Sequence, residues 1–471
     1  MATIMFGLHK TDGKCIYQQI YKEIKDRILD GVLQPNEKLP SKRKLASQLG
    51  VSVNSVTNAY EQLLAEGYIY TMERKGYYVE RITPFITEDK SRLYDLPTDL
   101  KEFEVNKEGW LSLSHMTSDV SSFPFAEWLK CQDRAIKNHL DELSEIPHPQ
   151  GPYLVRKTIA NLIESSRGIV CEPEQIVIGA GTQSLISNLM NIPRANNAVA
   201  IEDPGYSRFY RMLKNMGMEV HPIPLDEDGI DIHKVESSKS DIVFVTPSHQ
   251  FPTGKIMPIS RRIELLNWAV KSDHRYIVED DYDSEFKYKT DNIPSLQSLD
   301  RNRRVIYTGT FSKTMLPGLR ISYMVLPPDL LRLYRGLYSD LIQGSNTLSL
   351  YTLHYFIESG DYARHIKKMN HLYESKRTVL INHLLQRFGN RVVVEDTSAG
   401  LHFLVRFHTD KRYQTIVEQA RLEKLEIYTM KRFMLSKAAT KKGCIELILG
   451  FANISEENIP EAVERLYGII N

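Results

Sequence analysis

The sequence carries almost no surplus charge: 60 Lys and Arg stand against 59 Asp and Glu, a formal net charge of +1. That excludes a chain that is polycationic along its whole length, so any nucleic-acid surface must be a local patch. Cysteine is scarce as well. Cys15, Cys131, Cys171 and Cys444 lie far apart and form no CxxC pair or Cys/His cluster, which argues against a disulfide framework or structural zinc and for a reducing compartment. No run approaches the ~18–20 consecutive apolar residues of a membrane span. The opening MATIMFGLHKTDGK has too short an apolar stretch for a signal peptide, so a cytoplasmic location is expected. Internal repeats and low-complexity tracts are missing too.

What is present is an ordinary globular composition, 42% hydrophobic and 25% charged over 471 residues. At roughly 150 residues per domain the length suggests two or three domains. Three regions differ in pattern. Residues 14–80 read as short helices followed by an alternating aromatic stretch. Residues 81–110, with two prolines, many charges and no period, read as a linker. From 111 to 471, the β-rich runs QIVIGAG, NAVAIEDPGY, DIVFVTPSHQ, RYIVEDDY and RVIYTGTFSK alternate with helical patterns. That alternation predicts an α/β domain on a parallel sheet, with a ligand at the polar strand ends.

In the first region IYQQIYKEIKDRILDG spaces Ile16, Ile20, Ile24, Ile28 and Leu29 as a helix stopped by Gly31. Ser41 caps a second helix that ends at Gly50, and Ser52 caps a third. The tight turn between them makes a helix-turn-helix. Val56, Ala59, Leu63 and Leu64 face inward, leaving Asn54, Ser55, Thr57, Asn58 and Tyr60 for base edges. YIYTMERKGYYVE then forms a hairpin tipped by Arg74, Lys75 and Gly76. With Ser41, Lys42, Arg43 and Ser52 at the helix starts, these groups supply the cations and helix N-termini that phosphates require. Double-stranded DNA is the expected partner.

In the last region GAGTQSLISNLM runs from a glycine turn into a helix, with Gly181, Thr182 and Gln183 at its N-terminus. Tyr206 stands just beyond a strand. YIVEDDYDSEF ends a strand in consecutive acids, including Asp280, followed by Tyr282. Such carboxylates repel unless something cationic meets them. A metal is set aside because no histidine lies nearby at ligand spacing, so none is expected. TGTFSKTMLPGLR supplies Thr310, Ser312, Lys313 and Arg320. One cofactor uses all of these groups. Pyridoxal 5'-phosphate has an aldehyde for Lys313 and a phosphate for Gly181, Thr182, Gln183, Thr310, Ser312 and Arg320. Its ring nitrogen suits Asp280, its phenolic oxygen Tyr282, and its ring face Tyr206.

The order PSxRxLA…LGVS…AYxxLxxEGY resembles the winged helix-turn-helix of GntR-type regulators, with Val53 where that family usually has arginine. HPQGPYLVR, EDPGY, PSHQFPTG, EDDY and FSK…GLRISY resemble fold-type I aminotransferases over 111–471. Phe251 stands where those enzymes usually have asparagine. The fusion resembles the MocR subfamily of transcription regulators, and most closely its GABA-responsive branch. The resemblance implies a homodimer, head-to-tail and domain-swapped, with residues near Gln150–Tyr153 serving the partner's cofactor. It also implies an amino-acid effector of the GABA type, sensed by external aldimine formation in place of Lys313. Arg208 and Arg432 would take its carboxylate, and His115 would face it. On this reading the domain is a sensor rather than an enzyme, with a residual transaminase half-reaction. A regulator sensing the cofactor itself, and a working aminotransferase, stay open as alternatives.

Overall fold

The computed structural model describes residues 15–82, 96–102, 106–193, 196–288, 293–395, 399–436 and 443–471. Most of the expected linker therefore lies outside the described residues, as do residues 437–442. Chain packing separates two compact units, 1–106 and 107–471.

In the first unit, α1 (Ile16–Leu29), α2 (Lys42–Leu49) and α3 (Val53–Ala65) precede a hairpin of β1 (Ile69–Met72) and β2 (Gly76–Val79). Ile20, Ile24, Leu45, Val56, Ala59 and Leu63 are buried in one core. Gly50 closes α2 at φ +65, a left-handed conformation that costs glycine little. The strands pair antiparallel, Ile69 opposite Val79 and Met72 opposite Gly76, which leaves Arg74 and Lys75 exposed at the tip.

The second unit is built on seven strands: β3 (Ile176–Gly179), β4 (Ala198–Asp203), β5 (Glu219–Pro224), β6 (Ile242–Val245), β7 (Tyr276–Asp281), β8 (Val305–Thr310) and β9 (Ser322–Val325). Their spatial order is β3-β9-β8-β7-β6-β4-β5. The sheet is parallel as expected except for β9, which runs antiparallel to both neighbours. The connection from Phe311 to Ile321 holds only a single turn of 3₁₀ helix, too short for the crossover a parallel strand requires. Buried runs such as the four residues of β6 fit a sheet covered on both faces.

Two helices start at the carboxyl edge of this sheet, α4 (Thr182–Met190) after β3 and α5 (Ser207–Asn215) after β4. A four-stranded antiparallel sheet follows late in the chain: β10 (Val392–Glu395), β11 (His402–His408), β12 (Tyr428–Thr429) and β13 (Cys444–Gly450). Phe403, Val405, Phe407, Leu447 and Leu449 of this sheet share a core with Leu380, Leu384 and Leu466 of the late helices.

Candidate functional site

The carboxyl ends of β7 and β8, the turn after β3 and the start of β9 meet on one edge of the large sheet. A strand sends neighbouring side chains to opposite faces, and this sorts the acids of β7. Glu279 accepts the backbone N–H groups of Leu296 and Gln297, each at 2.8 Å. Asp281 pairs with Arg167 at 2.7 Å and accepts the Tyr307 hydroxyl at 2.7 Å. Asp280 faces the other way. Its register partner Thr308 donates to Oδ1 at 2.8 Å, and among the described residues no ion pair reaches it. Burial, aided by Asp281 and Asp283 and opposed by the Thr308 hydrogen bond, pushes its carboxyl up to about 7. A cationic ring nitrogen would relieve that cost.

Lys313 follows β8, and its Nζ donates to the His115 carbonyl oxygen. Desolvation lowers the amine from 10.5 to about 8; Asp283 opposes the shift and Arg208 adds to it. About a tenth of the population is therefore uncharged, and nucleophilic, at pH 7.

Beside it lies a row of hydroxyls. Register pairing sets Ser322 opposite both Gly179 and Thr310. Ser322 Oγ donates to Thr310 Oγ1 at 2.8 Å, Thr182 Oγ1 donates to Ser322 Oγ at 3.4 Å, and the Ser312 N–H donates to Thr310 Oγ1 at 3.1 Å. Ser312 Oγ is buried with no hydrogen-bond partner among the described residues. Gly181 precedes α4 at φ +110, ψ 155, a region nearly exclusive to glycine. The Arg320 guanidinium lies against it: a Cβ on Gly181 would stand 2.0 Å from Arg320 Nη2. Arg320 also donates to the Ala180 carbonyl at 3.2 Å. Gln183 is exposed in the first turn of α4, where backbone N–H groups lack intrahelical acceptors. A helix N-terminus, a guanidinium and clustered hydroxyls make an anion cup.

Aromatic rings wall the cleft. Tyr206 meets Phe209 and Phe251 edge-on, at centroid distances of 4.8 and 5.6 Å. Phe251 is buried against His115 and Phe433, so it packs where an asparagine would have hydrogen-bonded. The Tyr282 hydroxyl donates to the His249 carbonyl at 2.9 Å and lies 3.0 Å from His249 Nδ1.

Arg208 and Arg432 are exposed. Arg208 reaches Met116 Sδ at 3.5 Å, and Arg432 lies 4.9 Å from the Tyr428 ring centroid. Among the described residues neither meets a carboxylate. Both act on His115, whose ring is held well below its ordinary value by burial first and then by the charges of Lys313, Arg432 and Arg208. The fold thus brings His115, Lys313, Arg208 and Arg432 into one electrostatic neighbourhood. Gln150 is not free to reach outward. Its amide donates to the Glu174 and Ile176 carbonyls and accepts from Arg335. Tyr153 is exposed.

In the first unit Ser41 accepts the Lys44 N–H at 3.3 Å and Ser52 accepts the Ser55 N–H at 3.2 Å. Arg43, Asn54 and Asn58 are exposed, and Ser55 and Thr57 are half-buried. Lys42 sits 3.6 Å from Glu61, a weak surface pair that a phosphate could displace. Tyr60 corrects the expectation that it faces outward. It is fully buried, and its hydroxyl donates to the Pro40 carbonyl at 2.9 Å. It follows Ala59 on the inward side of α3, where its ring packs edge-on against Tyr77.

Residues 16–79 match the family of bacterial regulatory proteins of the gntR type, and residues 110–466 match aminotransferase class I and II. The HTH-type transcriptional regulator YdeL of Bacillus subtilis is 38% identical over 463 residues, covering 98% of this chain and 97% of its own. The probable rhizopine catabolism regulatory protein MocR of Rhizobium meliloti is 27% identical, over 96% of this chain and 93% of its own. The chain belongs to the MocR-type transcription regulators. The pyridoxine biosynthesis regulator PdxR of Corynebacterium glutamicum is also similar, at 29% identity over 81% of each chain. Among solved structures, the multiple substrate aminotransferase of Thermococcus profundus matches at a TM-score of 0.68 and 24% identity, over 77% of this chain and 91% of that one. The kynurenine aminotransferase of Pyrococcus horikoshii matches at 0.69 and 22%, over 81% and 98%. These likenesses establish a fold-type I aminotransferase fold for the second unit of this MocR-type regulator.

That fold implies pyridoxal phosphate, and the residues present fit it. An unpartnered Ser312 hydroxyl, a guanidinium seated on a glycine, an acid without a cation and a partly neutral lysine answer its phosphate, ring nitrogen and aldehyde. Sequence reasoning missed Ser322 and Thr308, which enter only through strand register. It also missed His249 and His402. Among the described residues no helix is long and apolar enough to cross a membrane.

Proposed function

We propose that this MocR-type regulator binds promoter DNA through its first unit and senses a small amino acid in its second. The observation that carries this reading is the pair Arg208 and Arg432, both exposed, neither paired with a carboxylate among the described residues, and both acting on His115 beside Lys313. Arginine is the side chain suited to bidentate capture of a carboxylate. Pyridoxal phosphate, when bound, supplies an aldehyde that condenses reversibly with a primary amine.

Each chain residue then has a defined task. Arg320, Gly181, Thr182, Gln183, Thr310 and Ser312 hold the phosphate, with Ser322 supporting the hydroxyl row. Asp280 keeps a proton on the ring nitrogen, fixed by Thr308. Tyr206 covers the ring face, and Tyr282 lies toward the phenolic oxygen. Lys313 offers the amine that an incoming amino acid replaces. Ser41, Lys42, Arg43, Arg74 and Lys75, with Ser52 and Gly76 shaping their turns, meet phosphates. Asn54, Ser55, Thr57 and Asn58 meet base edges. A GABA-like effector, as in the GABA-responsive branch, fits a carboxylate held at a distance from the reacting amine.

A homodimer, head-to-tail and domain-swapped, is the proposed assembly. The exposed apolar residues Phe125, Leu129, Ile136 and Leu140, close in sequence to exposed Tyr153, support it. A second reading takes cofactor level itself as the signal, and similarity to the pyridoxine biosynthesis regulator favours it. Operator binding by the cofactor-loaded and cofactor-free protein, with and without candidate amino acids, separates the two. If loading alone changes binding and no amino acid does, the second reading holds. Steady keto-acid release from amino donor and acceptor would instead reveal a working aminotransferase.

A further inference from the structure

The acids after β7 were expected to lack histidine partners, because none is near in sequence. The fold supplies two. His249, from the loop after β6, and His402, at the start of β11, both come to Asp283. One ligand atom from each of the three lies within 4.8 Å of the others. All three are buried, at 2%, 2% and 1% exposure for His249, His402 and Asp283. The imidazole centroids are 4.7 Å apart.

The hydrogen bonds are distributed in a way that points to a ligand. His249 Nδ1 lies 3.1 Å from both Asp283 oxygens. The His402 ring is hydrogen-bonded to the Pro252 carbonyl. Metal-ligating imidazoles are held in this manner, one nitrogen fixed by a carboxylate or carbonyl and the other presented to the ion. The remaining nitrogens here, Nε2 of His249 and Nε2 of His402, are buried and have no hydrogen-bond partner among the described residues. Buried polar atoms of this kind are rare in folded proteins and call for an explanation. A hydrogen-bonded His–Asp pair accounts for His249 Nδ1 alone and leaves both Nε2 atoms unexplained.

We propose that His249 and His402 bind a divalent transition metal of the zinc class through their Nε2 atoms, with Asp283 holding His249 from the other side of its ring. Two imidazoles are donors that such ions accept, and the rest of the coordination shell stays open. The site borders the lysine cleft: the His115 ring lies 5.8 Å from His402, and the His115 carbonyl holds Lys313. The open positions can take water or an amino-acid carboxylate. The proposal does not depend on which effector the protein senses.

The test uses the full-length, cofactor-loaded protein, stripped with a chelator, equilibrated with zinc chloride, desalted, and analysed for metal by mass spectrometry. One retained zinc per chain is expected. His249→Asn and His402→Asn each weaken retention on the order of a hundredfold, whereas His274→Asn, at an exposed histidine, leaves it intact. Circular dichroism of each variant shows whether it is folded. Should either site variant fail to fold, cobalt(II) added to the wild type decides, because ligand-field bands of a low-coordinate, nitrogen-ligated ion are then expected. Failure of the wild type to retain zinc, equal retention by folded variants, or a cobalt spectrum of the fully hydrated ion would each overturn the proposal.

Discussion

Substituting Gly181 by alanine should weaken cofactor binding far more than its single methyl group suggests. The new Cβ would stand 2.0 Å from Arg320 Nη2 and 2.8 Å from Cζ, so the guanidinium must leave its place on the turn. The backbone adds strain, since φ +110 with ψ 155 costs a non-glycine residue about 1–3 kcal/mol. Displacing Arg320 removes a charge-assisted hydrogen bond to the phosphate, about 1.5–3 kcal/mol. That corresponds to a loss of roughly tenfold to a hundredfold in affinity. The assay is absorbance titration of cofactor-stripped protein with pyridoxal phosphate, with a thermal melt of the stripped protein to register the backbone strain separately. Arg320→Ala should lose comparable affinity without that strain. The double variant should then lose little more than either single one, because both act on one contact. A folded Gly181→Ala protein that binds cofactor within about twofold of wild type would show that the anion cup has been misassigned.

Lys313 with an amine at about 8 rather than 10.5 is roughly a tenth neutral at pH 7, against well under a thousandth for an ordinary lysine. Imine formation in the stripped protein should therefore quicken about tenfold per pH unit below 8 and level off above it; a rate still climbing through pH 9 contradicts the shift. Thr308→Val removes the donor to Asp280, which should push that carboxyl further up and weaken cofactor affinity by about 1 kcal/mol, measured by the same titration. Tyr60→Phe should cost about 1 kcal/mol of stability in denaturant unfolding through the lost bond to Pro40 and leave operator affinity unchanged, since the ring is buried. Arg43→Ala and Lys75→Ala should each reduce the salt slope of operator binding by about 1, whereas Asn58→Ala should relax sequence discrimination; equal effects on slope and discrimination would count against that division.

Much of the fold was legible because local signals agree with it. Five β-rich runs became β3, β4, β6, β7 and β8, and Ser41, Ser52 and Gly50 cap the helices that their chemistry indicated. β5 was less visible because two prolines interrupt it, which its place at the sheet edge tolerates. β9 was quoted only as part of a motif, and its antiparallel course depends on the short connection before it. Tyr60 was misplaced because its phenol suits either a groove or a core, and only the Pro40 carbonyl decides. The cluster of His249, Asp283 and His402 had no sequence signal at all. His402 sits more than a hundred residues from Asp283, on the late antiparallel sheet, and only folding of the chain brings it to the loop after β7.

The central claim is that Lys313 and the two arginines form an amino-acid sensor. Titrating the cofactor-loaded protein with a panel of amino acids that includes GABA, while following the absorbance of the bound cofactor, tests it most directly. The account predicts that one carboxylate-bearing amine shifts the band in the wild type, that Arg208→Ala or Arg432→Ala weakens the response at least tenfold, and that Lys313→Ala abolishes it. A band that no amino acid moves, in a protein whose operator binding follows cofactor loading alone, would contradict the account.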